Sequence, residues 1–234
     1  MSEIKERPIL FSGPMVCAIL EGRKGGTRRP VKPQPDFLGS MTDPNTPFKT
    51  LGAGLHGQIV CPYGKPGERL WVRESFYAFG RWETRYSQKR KRDLWHFIDM
   101  THDTGREYQF EAPVGQHIKI PRSSVTPSWW RRPSIHMPRH ASRILLEITA
   151  VRVERLHDGD GETAFESRYL AEGINEIHHG DGEYYYHAFQ NEPGPGNWCD
   201  PFDAWRELWV SINGIDSWNA NPWVWVVEFK RVTP

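Results

Sequence analysis

Three stretches of the chain alternate apolar and polar residues with the period of two that is typical of β-strands. They cover about residues 69–76, 142–156 and 223–232. Within the second stretch the apolar parity changes between Ile148 and Val151, which predicts a bulge or bend near Thr149 and Ala150. We expect the final stretch to pair with residues 144–153 and to close a β-barrel.

A period of about 3.6 residues predicts a helix over residues 200–214. Asp200 is expected to cap this helix and Gly214 to end it. Its apolar stripe is expected to lie in the core and consists of Phe202, Trp205, Leu208, Trp209 and Ile212. Shorter helices are predicted over residues 12–20 and 162–174.

Proline and glycine interrupt the pattern elsewhere and predict long loops over residues 30–58 and 175–199. A first short strand is expected over residues 8–11. Residues 78–125 form an additional segment. Its apolar runs predict a hairpin between residues 94–98 and 107–110, and residues 118–120 are expected to extend it as a further strand.

These elements predict a mostly β, α+β protein: a small β-barrel with two or three peripheral helices and long loop or hairpin insertions. A chain of 234 residues is short enough for one domain with one substantial core. We therefore expect a single domain over residues 1–234, with insertions at about 30–60, 78–125 and 175–199.

Composition narrows the classes of function. The formal net charge is only +1, so an affinity for nucleic acid would have to come from a local patch. The three cysteines, Cys17, Cys61 and Cys199, form no Cys-x-x-Cys pair, which favours reduced thiols in a cytoplasmic protein. The first residues are charged where a signal peptide is apolar, and no run approaches the roughly 20 apolar residues of a membrane span, so we expect no membrane association.

A basic segment follows the helix predicted over residues 12–20, for which Ser12 is the expected cap and Gly22 the expected end. Four cations surround Gly25, Gly26 and the hydroxyl of Thr27 there: Arg23, Lys24, Arg28 and Arg29. Like charges this close require an anion or a carboxylate nearby, which favours an active-site or binding loop. A solvated basic turn is the alternative.

Glu74 lies at the end of the strand predicted over residues 69–76, on the same side as two aliphatic residues. An unpaired buried carboxylate is very costly, so Glu74 either turns to solvent or has a cation beside it. Lys24 and Arg29 are the natural candidates for that cation. A structural ion pair without any chemistry is the alternative to a functional site.

Aromatic and basic residues alternate in a second region, which contains Trp129, Trp130 and Arg132 and continues to Arg139. Such a mixture suits contact with unstacked bases and phosphates, and it equally suits packing between strands. The basic run at residues 88–92 is either a solvated turn or a phosphate contact.

Metal and cofactor sites have little support. His178 and His179 lie near Asp181, and His136 lies near His140, but neither group has the spacing of a structural zinc site. Binding of a loosely held divalent ion is the alternative. The glycines of residues 22–26 follow a helix, whereas a nucleotide-phosphate loop requires glycines that precede one. We therefore expect no cofactor, and no local motif supports Cys-His catalysis.

The basic segment resembles a known family. The motif Gly22-x-Lys24-x-x-Thr27-x-Arg29 is similar to the Gly-x-Lys-x-x-[Glu/Thr]-x-Arg signature of ASCH domains, which belong to the PUA-like superfamily of small β-barrels. Further blocks resemble the same family, in part its phage and prophage branch: residues 66–74, 130–143, 171–174 and 221–229. The resemblance covers about half of the chain. It implies a PUA-like barrel in the cytoplasm of a bacterial or phage-infected cell.

The resemblance also implies an activity. Some ASCH relatives hydrolyse N(4)-acetylcytidine with a lysine, a threonine and a glutamate, which match Lys24, Thr27 and Glu74 here. Lys24 would attack or relay protons, Glu74 would act as the base and Thr27 would position the substrate by a hydrogen bond. The expected substrate-binding residues are Arg23, Arg28, Arg29, Arg73, Trp130 and Arg139.

Two alternatives use the same residues. Other ASCH relatives cleave RNA, and a polymer substrate would engage the basic surfaces as well as the pocket. A non-catalytic module that binds RNA or a modified base is the third hypothesis. All three imply a nucleoside or RNA partner.

Overall fold

The computed structural model describes residues 4–39, 45–114, 121–158, 166–180 and 182–233. Its contacts divide the chain into two compact units. Unit 1 contains Met1–Val72 and Ile144–Pro234, and unit 2 contains Arg73–Arg143. Unit 2 includes the additional segment predicted over residues 78–125. The prediction of a single domain stays a prediction.

The described residues are mostly β, with 40% in strands and 17% in four helices, which is an α+β composition. The strands in chain order are β1 (Glu6–Leu10), β2 (Gly26–Pro30), β3 (Phe37–Leu38), β4 (Pro47–Gly52), β5 (Leu55–Gln58), β6 (Arg69–Arg73), β7 (Phe76–Ser87), β8 (Arg92–Asp99), β9 (Ser128–Arg132), β10 (Leu145–Arg155), β11 (Asn175–His178), β12 (Tyr184–His187) and β13 (Trp223–Val232). The helices are α1 (Gly13–Leu20), α2 (Glu166–Leu170), α3 (Pro201–Asn213) and α4 (Ile215–Asn219). None of these helices is long and apolar enough to cross a bilayer.

The central element of unit 1 is a five-stranded sheet with the order β1-β6-β10-β13-β2. The predicted pairing of the final strand is confirmed, because β13 runs antiparallel to β10 from Trp223 to Val232. The predicted bulge is also confirmed, between Ile148 and Ala150. The sheet is not closed into a barrel within the described residues, so the expected closure is absent from that part of the chain.

Apolar residues cover both faces of this sheet. The first cluster includes Val16 and Ile19 of α1 and Val227 of β13. The second cluster includes Trp205 of α3 and Val226 of β13. Because neighbouring residues of one strand contribute to different clusters, the sheet is buried on both sides.

Helix α1 begins and ends close to the predicted bounds. Gly22 follows it with a φ of 78°, the left-handed conformation expected there. The predicted capping by Ser12 is wrong, because the Ser12 side chain makes no capping hydrogen bond. The Ser12 carbonyl instead accepts a hydrogen bond from the Val16 amide at 2.9 Å.

Helix α3 confirms the helix predicted over residues 200–214. The Asp200 side chain accepts a hydrogen bond from the Phe202 amide at 2.7 Å, as expected for an N-cap. Four of the five stripe residues are buried, but Ile212 is 59% exposed, so its predicted place in the core is wrong. Helix α2 occupies only Glu166–Leu170 of the longer helix predicted there, and the residues numbered 162–165 lie outside the described part.

The two predicted long loops contain regular structure. Strands β3, β4 and β5 form a three-stranded antiparallel sheet within residues 30–58, and β11 pairs with β12 within residues 175–199. Both segments are rich in glycine and proline, so pairing within the segment stabilises strands that composition alone disfavours.

Unit 2 is built on a three-stranded sheet with the order β8-β7-β9. The predicted pairing of residues 94–98 with 107–110 is wrong, because β8 pairs with β7 instead. Gln109 forms only an isolated bridge, with Tyr77. The extending strand expected at residues 118–120 lies outside the described residues.

Candidate functional site

The second half of the basic segment is strand β2, which corrects the prediction of a loop there, whereas residues 23–25 have no regular secondary structure. Strand β2 pairs antiparallel with β13 at one edge of the five-stranded sheet. Where the strand begins, the amides of Gly25 and Gly26 donate to the Ala171 carbonyl at 2.9 and 3.0 Å. The Gly25 carbonyl accepts from the Phe229 amide at 2.8 Å. The segment is thus hydrogen-bonded on two sides and is not a solvated turn.

Lys24 is bound by Glu172, which lies 148 positions later in the sequence. Its ammonium donates to the Glu172 carbonyl oxygen at 2.6 Å and to Glu172 Oε2 at 3.2 Å. Only 2% of the Lys24 side chain is exposed. Burial lowers the pKa of Lys24, Glu172 opposes that effect, and the charges of Arg29 and Arg28 add to it.

Arg28 is paired with two carboxylates. It donates to Glu154 Oε1 at 2.9 Å and to Glu172 Oε1 at 3.1 Å. Its guanidinium also lies 5.1 Å from the ring centres of Tyr169 and Trp205, within the range of cation–π attraction. The Arg28 side chain is buried, and its predicted role in substrate binding stays a prediction.

A chain of ion pairs continues from this point towards solvent. Arg152 donates to Glu154 Oε2 at 3.1 Å and also pairs with Glu228. Lys24, Glu172, Arg28, Glu154, Arg152 and Glu228 thus form one connected ion chain, which alternates three cations with three carboxylates. Burial acts to raise the pKa of Glu172, but Lys24 and Arg28 outweigh it and hold that pKa below its ordinary value.

The register of β2 separates the predicted site residues. Residues opposite each other on paired strands share a face of the sheet. Arg28 lies opposite Val226, on the face of the second cluster. Thr27 lies opposite Val227, on the face of the first cluster, and Arg29 shares the face of Thr27 because side chains alternate.

Lys24 and Arg29 both lie close to the aromatic ring of Phe11. The Lys24 ammonium is 5.4 Å from the ring centre of Phe11, and the Arg29 guanidinium is 5.3 Å from it. Arg29 also donates to the Leu10 carbonyl at 2.7 Å. Burial raises the pKa of Tyr63, and the charge of Arg29 opposes that effect. Arg29 and Tyr63 therefore lie on the side of the first cluster, as Thr27 does, while the Phe11 ring borders both clusters.

Arg23 is more exposed than the other cations of the segment. It donates to Glu21 Oε2 at 2.8 and 2.5 Å and to the Gly173 carbonyl at 3.1 Å. These bonds place Arg23 beside the residue that follows Glu172.

A cleft of about 380 Å³ adjoins the ion chain. Its lining includes Arg28, Glu172, Arg152 and Glu228 of the chain, together with Lys230. Thr27 also contributes to the lining, although the register turns its side chain towards the first cluster. A volume of this size is sufficient for a nucleoside.

Glu74 belongs to unit 2 and has a different cation from the one expected. Arg143 donates to both of its oxygens, from Nε to Oε1 at 3.0 Å and from Nη2 to Oε2 at 3.0 Å. This two-bonded pair corrects the assignment of Lys24 or Arg29 as the cation. The Arg143 guanidinium also stacks 3.9 Å from the centre of Phe110. The burial of Glu74, at 7% exposure, agrees with the requirement for a partner.

The remaining predicted contacts also lie in unit 2. Arg73 ends β6, and its charge helps to lower the pKa of His136 after the larger effects of burial and Arg132. Trp130 lies in β9 and donates from Nε1 to the Gly80 carbonyl at 3.0 Å. Arg139 begins a short 3-10 helix over Arg139–Ala141 and is half-buried.

The histidines considered for a metal site have other contacts. His140 Nε2 is 3.2 Å from the Tyr108 hydroxyl, and His179 Nε2 is 2.9 Å from the Asn197 amide nitrogen. Across the residues that can be described, no three His, Cys, Asp or Glu side chains form a group that could hold a metal ion. Asp181 lies outside that part of the chain.

The carboxylates of the ion chain were absent from the predicted site. A signal for Glu172 was present, because residues 171–174 resemble the ASCH family at the end of a helix. A signal for Arg152 and Glu154 was present as well, since both are charged and share a parity in a strand whose other parity is apolar. Neither signal identifies Arg28 as the residue that pairs with Glu172 and Glu154.

Comparisons with protein-family models, curated proteins and solved structures find no match to this chain. The functional assignment therefore depends on the residues themselves.

Proposed function

We propose that this protein is a hydrolase that acts on an N-acylated, cytidine-type nucleoside, within a PUA-like fold of the ASCH type. One observation carries the proposal: Lys24 is almost completely buried, has a lowered pKa and is fixed at 3.2 Å from the carboxylate of Glu172. A lysine whose pKa is lowered loses its proton at a lower pH than an exposed lysine does, which suits it to proton transfer.

The reaction is hydrolysis of an amide. A water molecule adds to the acyl carbon, and the neutral Lys24 amine accepts a proton from that water. The same proton then passes to the exocyclic nitrogen of the base, the carbon–nitrogen bond breaks, and a carboxylic acid and the free nucleoside leave. Thr27 donates a hydrogen bond to the acyl oxygen, and the Arg29 charge stabilises the oxyanion that develops there. Phe11 supplies a flat apolar surface for the base.

The two carboxylates have different roles in this proposal. Glu172 positions Lys24 and is a poor base itself, because two cations occupy its oxygens and hold its pKa down. The family resemblance assigns the base to Glu74, whose oxygens are both engaged by Arg143. We therefore propose Lys24 as the proton acceptor and Glu172 as its positioning residue.

The test is turnover of N(4)-acetylcytidine by the intact protein, followed by the change in its ultraviolet spectrum. We expect Lys24→Gln to lower kcat/KM by about 100-fold or more, the usual contribution of a general base. Thr27→Val replaces the hydroxyl by a methyl group of similar size and should lower kcat with little effect on folding. Lys49→Gln is the matched control, since Lys49 is partly exposed and pairs with Asp36 at 2.6 Å.

The outcomes separate the hypotheses. Wild-type turnover in both Lys24→Gln and Thr27→Val would contradict the proposal, and circular dichroism would establish that both variants are folded. Cleavage of RNA that disappears in the same two variants, without turnover of the acylated nucleoside, would favour a ribonuclease instead.

A non-catalytic module that binds a modified base is the second candidate. The observation in its favour is the cleft, where carboxylates neutralise Arg28 and Arg152. A base could bind in this cleft without any of the proposed chemical steps. This candidate expects no turnover of acylated nucleosides. It also expects Lys230→Gln, at the cleft, to weaken nucleoside binding in calorimetry while Lys49→Gln does not.

A further inference from the structure

One face of the sheet in unit 2 carries a row of aromatic side chains. In the pairing of β7 with β8, Trp82 lies opposite Phe97 and Thr84 lies opposite Trp95. Tyr86 follows two residues later on the same face, and Trp130 of β9 shares it because Ala78 lies opposite Trp130. We call Trp82, Tyr86, Trp95, Phe97 and Trp130 the aromatic face.

These rings are in contact at one end of the face and exposed at the other. Trp82 packs against Phe97 and Trp130 with ring centres 5.3 and 6.0 Å apart. Trp95 is 43% exposed and Tyr86 is 63% exposed. Two exposed rings that adjoin a packed aromatic cluster form a contiguous aromatic surface, which is typical of an interaction site.

Two guanidinium groups lie on the aromatic face. Arg122 is 4.6 Å and Arg132 is 4.8 Å from the ring centre of Trp82, and Arg132 is also 4.4 Å from that of Phe97. Burial lowers the pKa of Arg132, Asp99 opposes this effect, and the charge of Arg122 adds to it. Two cations beside one ring repel each other, and a nearby anion would offset that repulsion.

A basic turn continues the positive charge beyond the rings. The turn that joins β7 to β8 contains Lys89, Arg90 and Lys91, all exposed, and lies next to Tyr86. Asp93 and Asp99 are the carboxylates of β8 that share the aromatic face. The cations of the turn and the two arginines outnumber these carboxylates, so the surface favours a polyanion.

We propose that the aromatic face of unit 2 binds a single strand of nucleic acid. Unpaired bases stack on Trp95 and Tyr86, while the phosphates contact Arg122, Arg132 and the basic turn. Flat exposed rings beside guanidinium groups are suited to bases that are free to stack, which a duplex does not offer. The proposal goes beyond the proposed function, because binding by unit 2 requires no hydrolysis at Lys24.

The test uses the full chain and a short, dye-labelled, single-stranded oligoribonucleotide in fluorescence anisotropy. We expect Trp95→Ala and Tyr86→Ala each to weaken binding about tenfold, as expected when one base loses its stacking partner. Both side chains are exposed, so neither change should unfold the protein. Tyr184→Ala, which removes a 54% exposed tyrosine from unit 1, is the matched control and should retain the affinity.

Salt dependence tests the charged part of the surface. Neutralisation of Lys89 and Arg90 should reduce the slope of log affinity against log salt by about 0.7 for each phosphate that the variant no longer neutralises. Arg85→Gln is the control, because Arg85 lies on the opposite face of β7 and is 3.8 Å from Glu83.

Two results would overturn the proposal: equal affinity for the duplex of the same sequence, or undiminished affinity in both Trp95→Ala and Tyr86→Ala. The assay measures binding without turnover, so its failure would leave the proposed hydrolysis standing. Conversely, a protein without hydrolase activity would still show the stacking-dependent binding.

Discussion

At the scale of single residues, Gly173 illustrates how closely the site is packed. Its φ is 95°, a conformation that residues with a Cβ rarely adopt. A Cβ at this position would lie 3.0 Å from the Ala18 Cβ and 3.4 Å from the Lys24 Cβ. Since Gly173 directly follows Glu172, the absence of a side chain allows the carboxylate to approach Lys24.

We predict that Gly173→Ala destabilises the protein by more than the cost of its backbone conformation. A non-glycine residue at such a φ costs about 1–3 kcal/mol, and the contacts with Ala18 and Lys24 add to that cost. Gly196→Ala is the matched control, because Gly196 has nearly the same φ, 94°, and nothing lies within 4 Å of its Cβ position. Urea unfolding of both variants measures the difference. Equal losses of stability would mean that packing beside Lys24 contributes nothing.

At the scale of elements, the start of α3 is stabilised by a residue next to the helix in the sequence, Asp200. The Asp200 cap satisfies the Phe202 amide, which has no partner within the helix. We predict that Asp200→Ala lowers the free energy of unfolding by about 1 kcal/mol. Asp200→Asn keeps an acceptor at the same position and should stay close to wild type. Thermal unfolding compares the two, and an equal loss in both would indicate that the charge of Asp200 matters rather than its hydrogen bond.

The comparison of α3 with β2 explains which elements could be predicted. Helix α3 and strands β10 and β13 have the apolar periodicity of their class, so the pattern alone indicates them. Strand β2 has the sequence Gly-Thr-Arg-Arg-Pro, which lacks an apolar alternation, and it is stabilised by pairing with the distant strand β13. The strand propensity of a short segment does not reveal a distant pairing partner.

The same limit applies to the candidate site. The sequence indicated that Lys24 and Glu74 each need an opposite charge, and both have one. It did not identify the partner of either residue, because Glu172 and Arg143 are distant in the sequence and come close only in the folded protein. Thr27 and Arg28 are neighbours in the motif but lie on opposite faces of the sheet, a separation that appears only once the segment is known to be a strand.

At the scale of the whole molecule, the ion chain makes stability depend on pH. The pKa of Glu172 is lowered in the folded protein, so its stabilisation is fully present above its ordinary value of 4.5 and is lost as the pH falls through the folded value. The lowered pKa of Lys24 acts at the other end of the range: stability rises with pH between the folded value and the ordinary 10.5. Stability should therefore increase with pH in both windows.

We predict that Glu172→Gln lowers stability at neutral pH and flattens its acid dependence. Removal of one partner of a buried ion pair costs about 3–5 kcal/mol, and Glu172 is the carboxylate that both Lys24 and Arg28 contact. The control is Glu176→Gln, since Glu176 lies exposed on β11 and should keep both the stability and the full acid dependence of the wild type. Urea unfolding of the three proteins at neutral pH and at successive values below 4.5 supplies the measurement. If the wild type and Glu172→Gln lost stability in parallel as the pH fell, the acid dependence would belong to other carboxylates, because a glutamine at this position binds no proton in that range.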